Sequence, residues 1–250
     1  MNERRHGLLC SGLVKNYENV RALDGVSFDV DEGEVFGLLG PNGAGKSTCM
    51  KIFVGLVKAD QGTALVENVD VSLRPLEAKK LVGFLPEYPM LFENLTGREF
   101  VTMMGMMRGM AKQDVDSRLE EFAKSLAIDE QMDALLGTYS KGMRQKISFT
   151  AAVIHDPPVL ILDEPTSGLD PRFGRYIKNI IRTMGKEGHT VLLSTHITSV
   201  AEELCRRIAI IDHGSITAYG NVGDVVSSAG ASNLEDAFIS LVEDGNSEGG

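Results

Sequence analysis

The chain has 250 residues, 43% of them hydrophobic, and a formal net charge of −10. That length supports one substantial α/β domain or two small ones, and no apolar stretch approaches the roughly 18 residues that a membrane span requires. The acidic balance argues against sequence-independent nucleic-acid binding, which needs a basic footprint; the widely spaced Cys10, Cys49 and Cys205 read as free thiols of a reducing cytosol, with no metal-ligand spacing.

The opening MNERRHGLLCSGLVKNY sets basic residues before an apolar run of only about eight residues without a small-x-small cleavage site, so it reads as a first strand rather than a signal peptide. In ALDGVSFDV, Val26, Phe28 and Val30 alternate with polar residues, the pattern of a half-exposed strand. DEGE then turns into VFGLLG, a buried strand ending in a Gly-rich loop. A helix is predicted from about Gly45 through KSTCMKIFVGL, with Cys49 packing as a small residue. Strands follow in TALVENV and LVGFLP.

From about Pro89 the pattern becomes helical. TGRE (Thr96 to Glu99) is a capping box that starts a helix at Thr96. Met103, Met104, Met106, Met107 and Met110 crowd that helix. Residues 103, 107 and 110 share a face, which reads as core packing; a deformable groove for a partner helix is the functional alternative. DVDSRLEEFAKSL forms a second helix. A third starts at Ser140, runs through KGMRQKISFTAAVIH and stops at Pro157-Pro158. Val159 to Leu162 is the apolar run of a strand buried on both faces. LDPRFGRYIKNIIRTMGKEG predicts a helix with Asp170 as N-cap, Pro171 in its first turn and a stop at Gly188. TVLLSTH is another buried strand, followed by a helix from about Thr198 and the pair RIAIIDHG and SITAYG.

Strand–helix alternation around an all-helical insert implies a parallel-sheet α/β core carrying a helical subdomain. The expected boundaries are a core over about 1–88 and 156–225, a helical subdomain over about 89–155, and a C-terminal helix and disordered acidic tail over 226–250. No internal repeat appears, which excludes a duplicated chain.

GPNGAGKST (Gly40, Pro41, Asn42, Gly43, Ala44, Gly45, Lys46, Ser47, Thr48) matches G-x-x-x-x-G-K-[ST] between a strand and a helix. Its glycines let the backbone curl so that successive N–H groups face an anion, and the helix N-terminus adds partial positive charge. Lys46 would reach the β- and γ-phosphates, and the Ser47 hydroxyl would bind Mg²⁺. Asp163 and Glu164 end a buried strand, where desolvating a charge is costly. A nucleotide-bound Mg²⁺ supplies the cation for Asp163 at the carboxyl end of a parallel strand, and Glu164 is free to polarise a water. The chain is therefore expected to bind and hydrolyse a nucleoside triphosphate; it lacks the Asn-Lys-x-Asp guanine reader of GTPases.

From about Leu13 to Gly220 the series of motifs resembles the nucleotide-binding subunit of ATP-binding cassette (ABC) transporters. Tyr17 stands where that family stacks an aromatic ring on adenine. GPNGAGKST is its phosphate loop, LPEYP the loop joining core to helical subdomain, YSKGM the signature and VLILDEP the second Walker motif. SGLD is the D-loop, and STH presents His196. The resemblance implies an α/β fold: a P-loop NTPase (RecA-like) core with a mainly parallel sheet, an N-terminal antiparallel β subdomain and an inserted α-helical subdomain. It implies ATP and Mg²⁺, with Glu164 as general base and His196 at the γ-phosphate. It also implies head-to-tail pairing of ATPase subunits, as homodimer or heterodimer. In that pairing Ser140 and Gly142 face the partner's ATP and Asp170 lies at the interface. A separately encoded permease and a location on the cytoplasmic face of the cell membrane complete the expectation.

Two positions depart from the family pattern. The signature is Tyr139-Ser140-Lys141-Gly142-Met143 where Leu-Ser-Gly-Gly-Gln is common, and Glu87 stands where most members have Gln. Both resemble single-cassette subunits that pair with an export permease. In the resembling family that Gln oxygen approaches Mg²⁺, and a carboxylate oxygen can occupy the same place and suits a hard cation, so the resemblance implies Glu87 at the metal beside Ser47 and Asp163. The alternative reading is a soluble cassette serving a cofactor-assembly or other cytosolic complex.

Overall fold

The computed structural model describes residues 5–243; of the expected disordered tail, the stretch from Asp244 onward lies outside the described residues. β1 (His6–Tyr17) and β2 (Val20–Asp31) pair antiparallel through a turn at Glu18-Asn19. β4 (Gln61–Val66) and β5 (Val69–Asp70) extend them into an antiparallel sheet of order β2-β1-β4-β5. The second sheet has the order β10-β9-β3-β8-β7-β6. In it β3 (Val35–Leu39), β6 (Val82–Leu85), β7 (Val159–Asp163), β8 (Thr190–Thr195) and β9 (Arg207–Asp212) run parallel. β10 (Ser215–Asn221) closes one edge antiparallel to β9.

β7 and β8 are buried at every position, as their uninterrupted apolar runs require of strands covered on both faces. The period of two then divides their side chains between two cores. Val159, Ile161 and Leu192 join Phe36, Leu38, Phe28 and Val30 under the antiparallel sheet. Leu160, Leu162 and Leu193 face the other way, packing with Val101, Leu119 and Ile147 of the helical insert. Arg207 ties the two sheets together: its guanidinium is bidentate to Glu34 (2.8 and 2.6 Å) and also reaches Asp29 of β2 at 3.2 Å.

α1 (Lys46–Phe53) ends before the expected Leu56. Gly55 takes φ 66 there, with Leu56 N–H bonded back to the Lys51 carbonyl at 2.9 Å, and a left-handed glycine stops a helix. α2 (Pro75–Leu81) is an addition to the sequence reading. α3 (Gly97–Met107) carries the expected capping box, with Thr96 Oγ1 accepting from Glu99 N–H and Glu99 accepting from Thr96 N–H. Its methionines need a correction. The buried stripe is Gly97, Phe100, Val101 and Gly105. Met103, Met104 and Met110 pack partly buried against it, while Met107, expected in the core, is exposed. Gly105 lies so close to Val115 that this face, and not the one through Met107, meets the next helix.

α4 (Lys112–Leu126) and α5 (Lys141–Val153) complete the insert, and α5 stops short of the expected His155. α6 (Pro171–Lys186) starts on Asp170, whose carboxylate accepts from the N–H groups of Arg172 and Phe173; Gly188 follows its end at φ 95. α7 (Thr198–Leu204), α8 (Val222–Ser228) and α9 (Leu234–Glu243) are the last helices among the described residues. Cys10, Cys49 and Cys205 are free and buried.

Candidate functional site

The site is built at the carboxyl ends of β3, β8 and β7, which are adjacent in that order. Beyond β3 the chain curls through Gly40 to Gly45. A Cβ at Gly40 would lie 2.3 Å from the Ile211 carbonyl; one at Gly45, itself at φ 110, would lie 2.5 Å from that of Ala22. Only glycine fits these two approaches. α1 begins at Lys46 without a side-chain cap, which leaves its first-turn N–H groups for an outside acceptor.

Lys46, Asp163 and Glu164 are only 6%, 3% and 8% exposed, so each must be partnered to offset desolvation. Lys46 Nζ donates to the carbonyls of Gly40 (2.6 Å) and Pro41 (3.0 Å) and lies 3.6 Å from Glu164 Oε1. His196 Nδ1 is 3.0 Å from the same Oε1. Ser194, whose Cα pairs with that of Asp163 in the β7–β8 ladder, donates its hydroxyl to Asp163 Oδ1 at 2.6 Å and accepts the Glu164 N–H at 2.9 Å. The sequence reading misses Ser194. Its one signal is a serine two before His196, directly after the apolar run Val191–Leu193 of a buried strand.

Ser47, Asp163 and Glu87 line one cleft of about 520 Å³. A hydroxyl and two carboxylates form an all-oxygen donor set, the kind a hard divalent cation takes. The same cleft runs outward to exposed apolar side chains: Leu56, Tyr88, Met90 and Phe92. His155 lies in it as well, with both ring nitrogens unpartnered among the described residues. Burial first, then the neighbouring Arg108 charge, push its pKa down to about 4.

Tyr17 ends β1 at the hairpin whose second strand approaches Gly45, and its ring is half-exposed under Lys15 Nζ. Ser140, Gly142 and Asp170 are not brought into this cluster. Ser140 caps α5 through the Met143 N–H, and Asp170 caps α6. Among the described residues no hydrogen bond or ion pair joins them to Lys46, Asp163 or Glu164. A Cβ at Gly168 would lie 3.5 Å from Lys141 Nζ, so the loops leading into α5 and α6 adjoin one another.

The family model described as "ABC transporter" matches residues 23–167. The chain is 41% identical to the daunorubicin/doxorubicin resistance ATP-binding protein DrrA of Streptomyces peucetius, over 90% of this chain and 68% of that protein. It is 35% identical to the Nod factor export ATP-binding protein I of Rhizobium sp. (strain N33), over 84% and 69%. A solved structure of an ATP-binding subunit of an ABC transporter superposes with a TM-score of 0.89 at 30% identity, covering 94% of this chain and 98% of that one.

Proposed function

The chain belongs to the ABC transporter family as its ATP-binding, ATP-hydrolysing subunit, and on that premise we propose that two such cassettes pair head to tail around ATP and drive a separately encoded export permease. The observation that carries this reading is a division within one chain. Lys46, Asp163, Glu164 and His196 converge at the strand ends, whereas Ser140, Gly142 and Asp170 stand apart at the heads of α5 and α6. A nucleotide held at Gly40–Thr48 would receive the first turn of α5, at Ser140 and Gly142, only from another cassette, identical or related.

In this reading the loop N–H groups and Lys46 bind the phosphates, and Tyr17 stacks on the adenine. Mg²⁺, when bound, would supply charge neutralisation for the phosphates. Ser47, Asp163 and Glu87, which line one cleft, would hold it through their side-chain oxygens. Glu164 accepts a proton from the attacking water, and His196, 3.0 Å away, orients that carboxylate and faces the γ-phosphate.

The exposed rim of Leu56, Tyr88, Met90 and Phe92 suits an amphipathic permease helix laid into the cleft, which would seat the chain on the cytoplasmic face of the membrane. The drug-resistance and Nod factor export relatives support outward transport.

The test is to purify the tagged chain from detergent-solubilised membranes of its own cells. An integral membrane protein is expected in stoichiometric amount with the wild type, and its loss with Met90→Asp or Phe92→Asp. Recovery of a soluble complex with no membrane protein would instead support a cofactor-assembly cassette.

A further inference from the structure

Ser194 has no part in the reading above, yet it is fully buried and bonded to both acids of the site. A hydroxyl has a single proton to give. Here it goes to Asp163 Oδ1, and the oxygen lone pairs remain for the Glu164 N–H. One side chain thereby fixes a carboxylate on one residue and the backbone of the next.

That backbone needs fixing. Glu164 lies at φ 49, in the left-handed region that a non-glycine residue adopts at a cost, and it precedes Pro165, which restricts it further. Strain of this kind persists only where the surroundings over-determine it. Of the two hydroxyls in the strand end, Thr195 turns to its own backbone, its Oγ1 accepting from Ile197 N–H at 3.0 Å, and among the described residues it makes no hydrogen bond to either acid. Among the described residues, the only hydrogen bond to the Asp163 carboxylate is the one from Ser194, at Oδ1.

We propose that Ser194 is a positioning residue of the ATPase site, setting the metal-facing Asp163 and the water-facing Glu164 in one fixed relation. The inference rests on the roles given to those two acids under the proposed function. Groups that orient a ligating carboxylate from behind are worth about 10–100-fold in metal affinity or activity when removed.

The experiment uses the full chain with Ser194→Ala and Ser194→Cys, both of which remove the strong donor at nearly constant volume, and Asp163→Asn as the reference. Mn²⁺ affinity is read by electron paramagnetic resonance in the presence of ADP. Nucleotide affinity without metal is read by a fluorescent ADP in EDTA, and steady-state ATPase kinetics complete the set. Both Ser194 variants are expected to keep metal-free ADP affinity, to bind Mn²⁺ about tenfold more weakly, and to lose kcat with little change in KM. Wild-type Mn²⁺ affinity and kcat in both variants, with Asp163→Asn weakened, would overturn this inference alone. Unchanged Mn²⁺ affinity in Asp163→Asn would overturn the metal assignment beneath it. Lower thermal stability with intact metal affinity and kcat would reduce Ser194 to a packing role and also overturn the inference.

Discussion

Glu87 is where a single side chain departs from the family pattern and a consequence can be measured. It lines the same cleft as Ser47 and Asp163, so its carboxylate adds a third oxygen donor to the wall of that cleft. A carboxylate is a better ligand than an amide for a hard cation, but an amide oxygen has nearly the same reach. Glu87→Gln is therefore expected to keep substantial ATPase activity, whereas Glu87→Ala should raise the Mg²⁺ concentration for half-maximal rate about tenfold. Identical Mg²⁺ titrations of the wild type and Glu87→Ala would move Glu87 off the metal and onto the permease-facing surface. At this scale the sequence was informative wherever residue type and spacing are both fixed by chemistry, as in Gly40–Thr48 and Asp163-Glu164. It was silent on Ser194, because a serine in a strand acquires meaning only through the β7–β8 register. It was equally silent on His155, a lone histidine whose burial depends on packing between the core and the insert.

The elements were legible where the signal is local. Thr96 with Glu99, Asp170 before Pro171, and Gly188 after α6 each act through backbone groups within a few residues, and each is found as expected. The α3 box satisfies two N–H groups reciprocally, at 3.1 and 2.9 Å. Thr96→Ala should cost about 1 kcal/mol, which for a chain of this size lowers the thermal midpoint by roughly 2–4 °C. A melt coincident with the wild type would show that the box contributes nothing to stability.

Elements set by weaker or non-local terms were harder to read. α2 has Pro75 at its start, Glu77 in the first turn and Lys79 and Lys80 in the last, yet Ala78 is its one buried residue, so no apolar period marks it. The methionine face was misplaced because the close approach of Gly105 to Val115 sets the rotation of α3, and spacing alone cannot show that contact.

Across the whole molecule, the strand order brings together residues far apart in sequence. β8 lies between β3 and β7, so Lys46, Glu164 and His196 meet although about 30 to 150 positions separate them along the chain. Alternation of strands and helices predicts a parallel sheet, but the order of strands follows from long-range pairing, and the motif series carried that information only through the family resemblance. The same architecture leaves Ser140, Gly142 and Asp170 away from the phosphate loop, and the proposed head-to-tail pairing would bring them to the nucleotide of a second cassette. The most direct measurement of this is made on Glu164→Gln, which keeps Asp163 and the side-chain shape but removes the carboxylate proposed to accept the proton. Mixed with Mg²⁺ and ATP and run on size-exclusion chromatography beside an ATPase assay, this variant is predicted to elute as an ATP-dependent dimer with negligible turnover. A Glu164→Gln chain that hydrolyses ATP at the wild-type rate and stays monomeric would contradict the account.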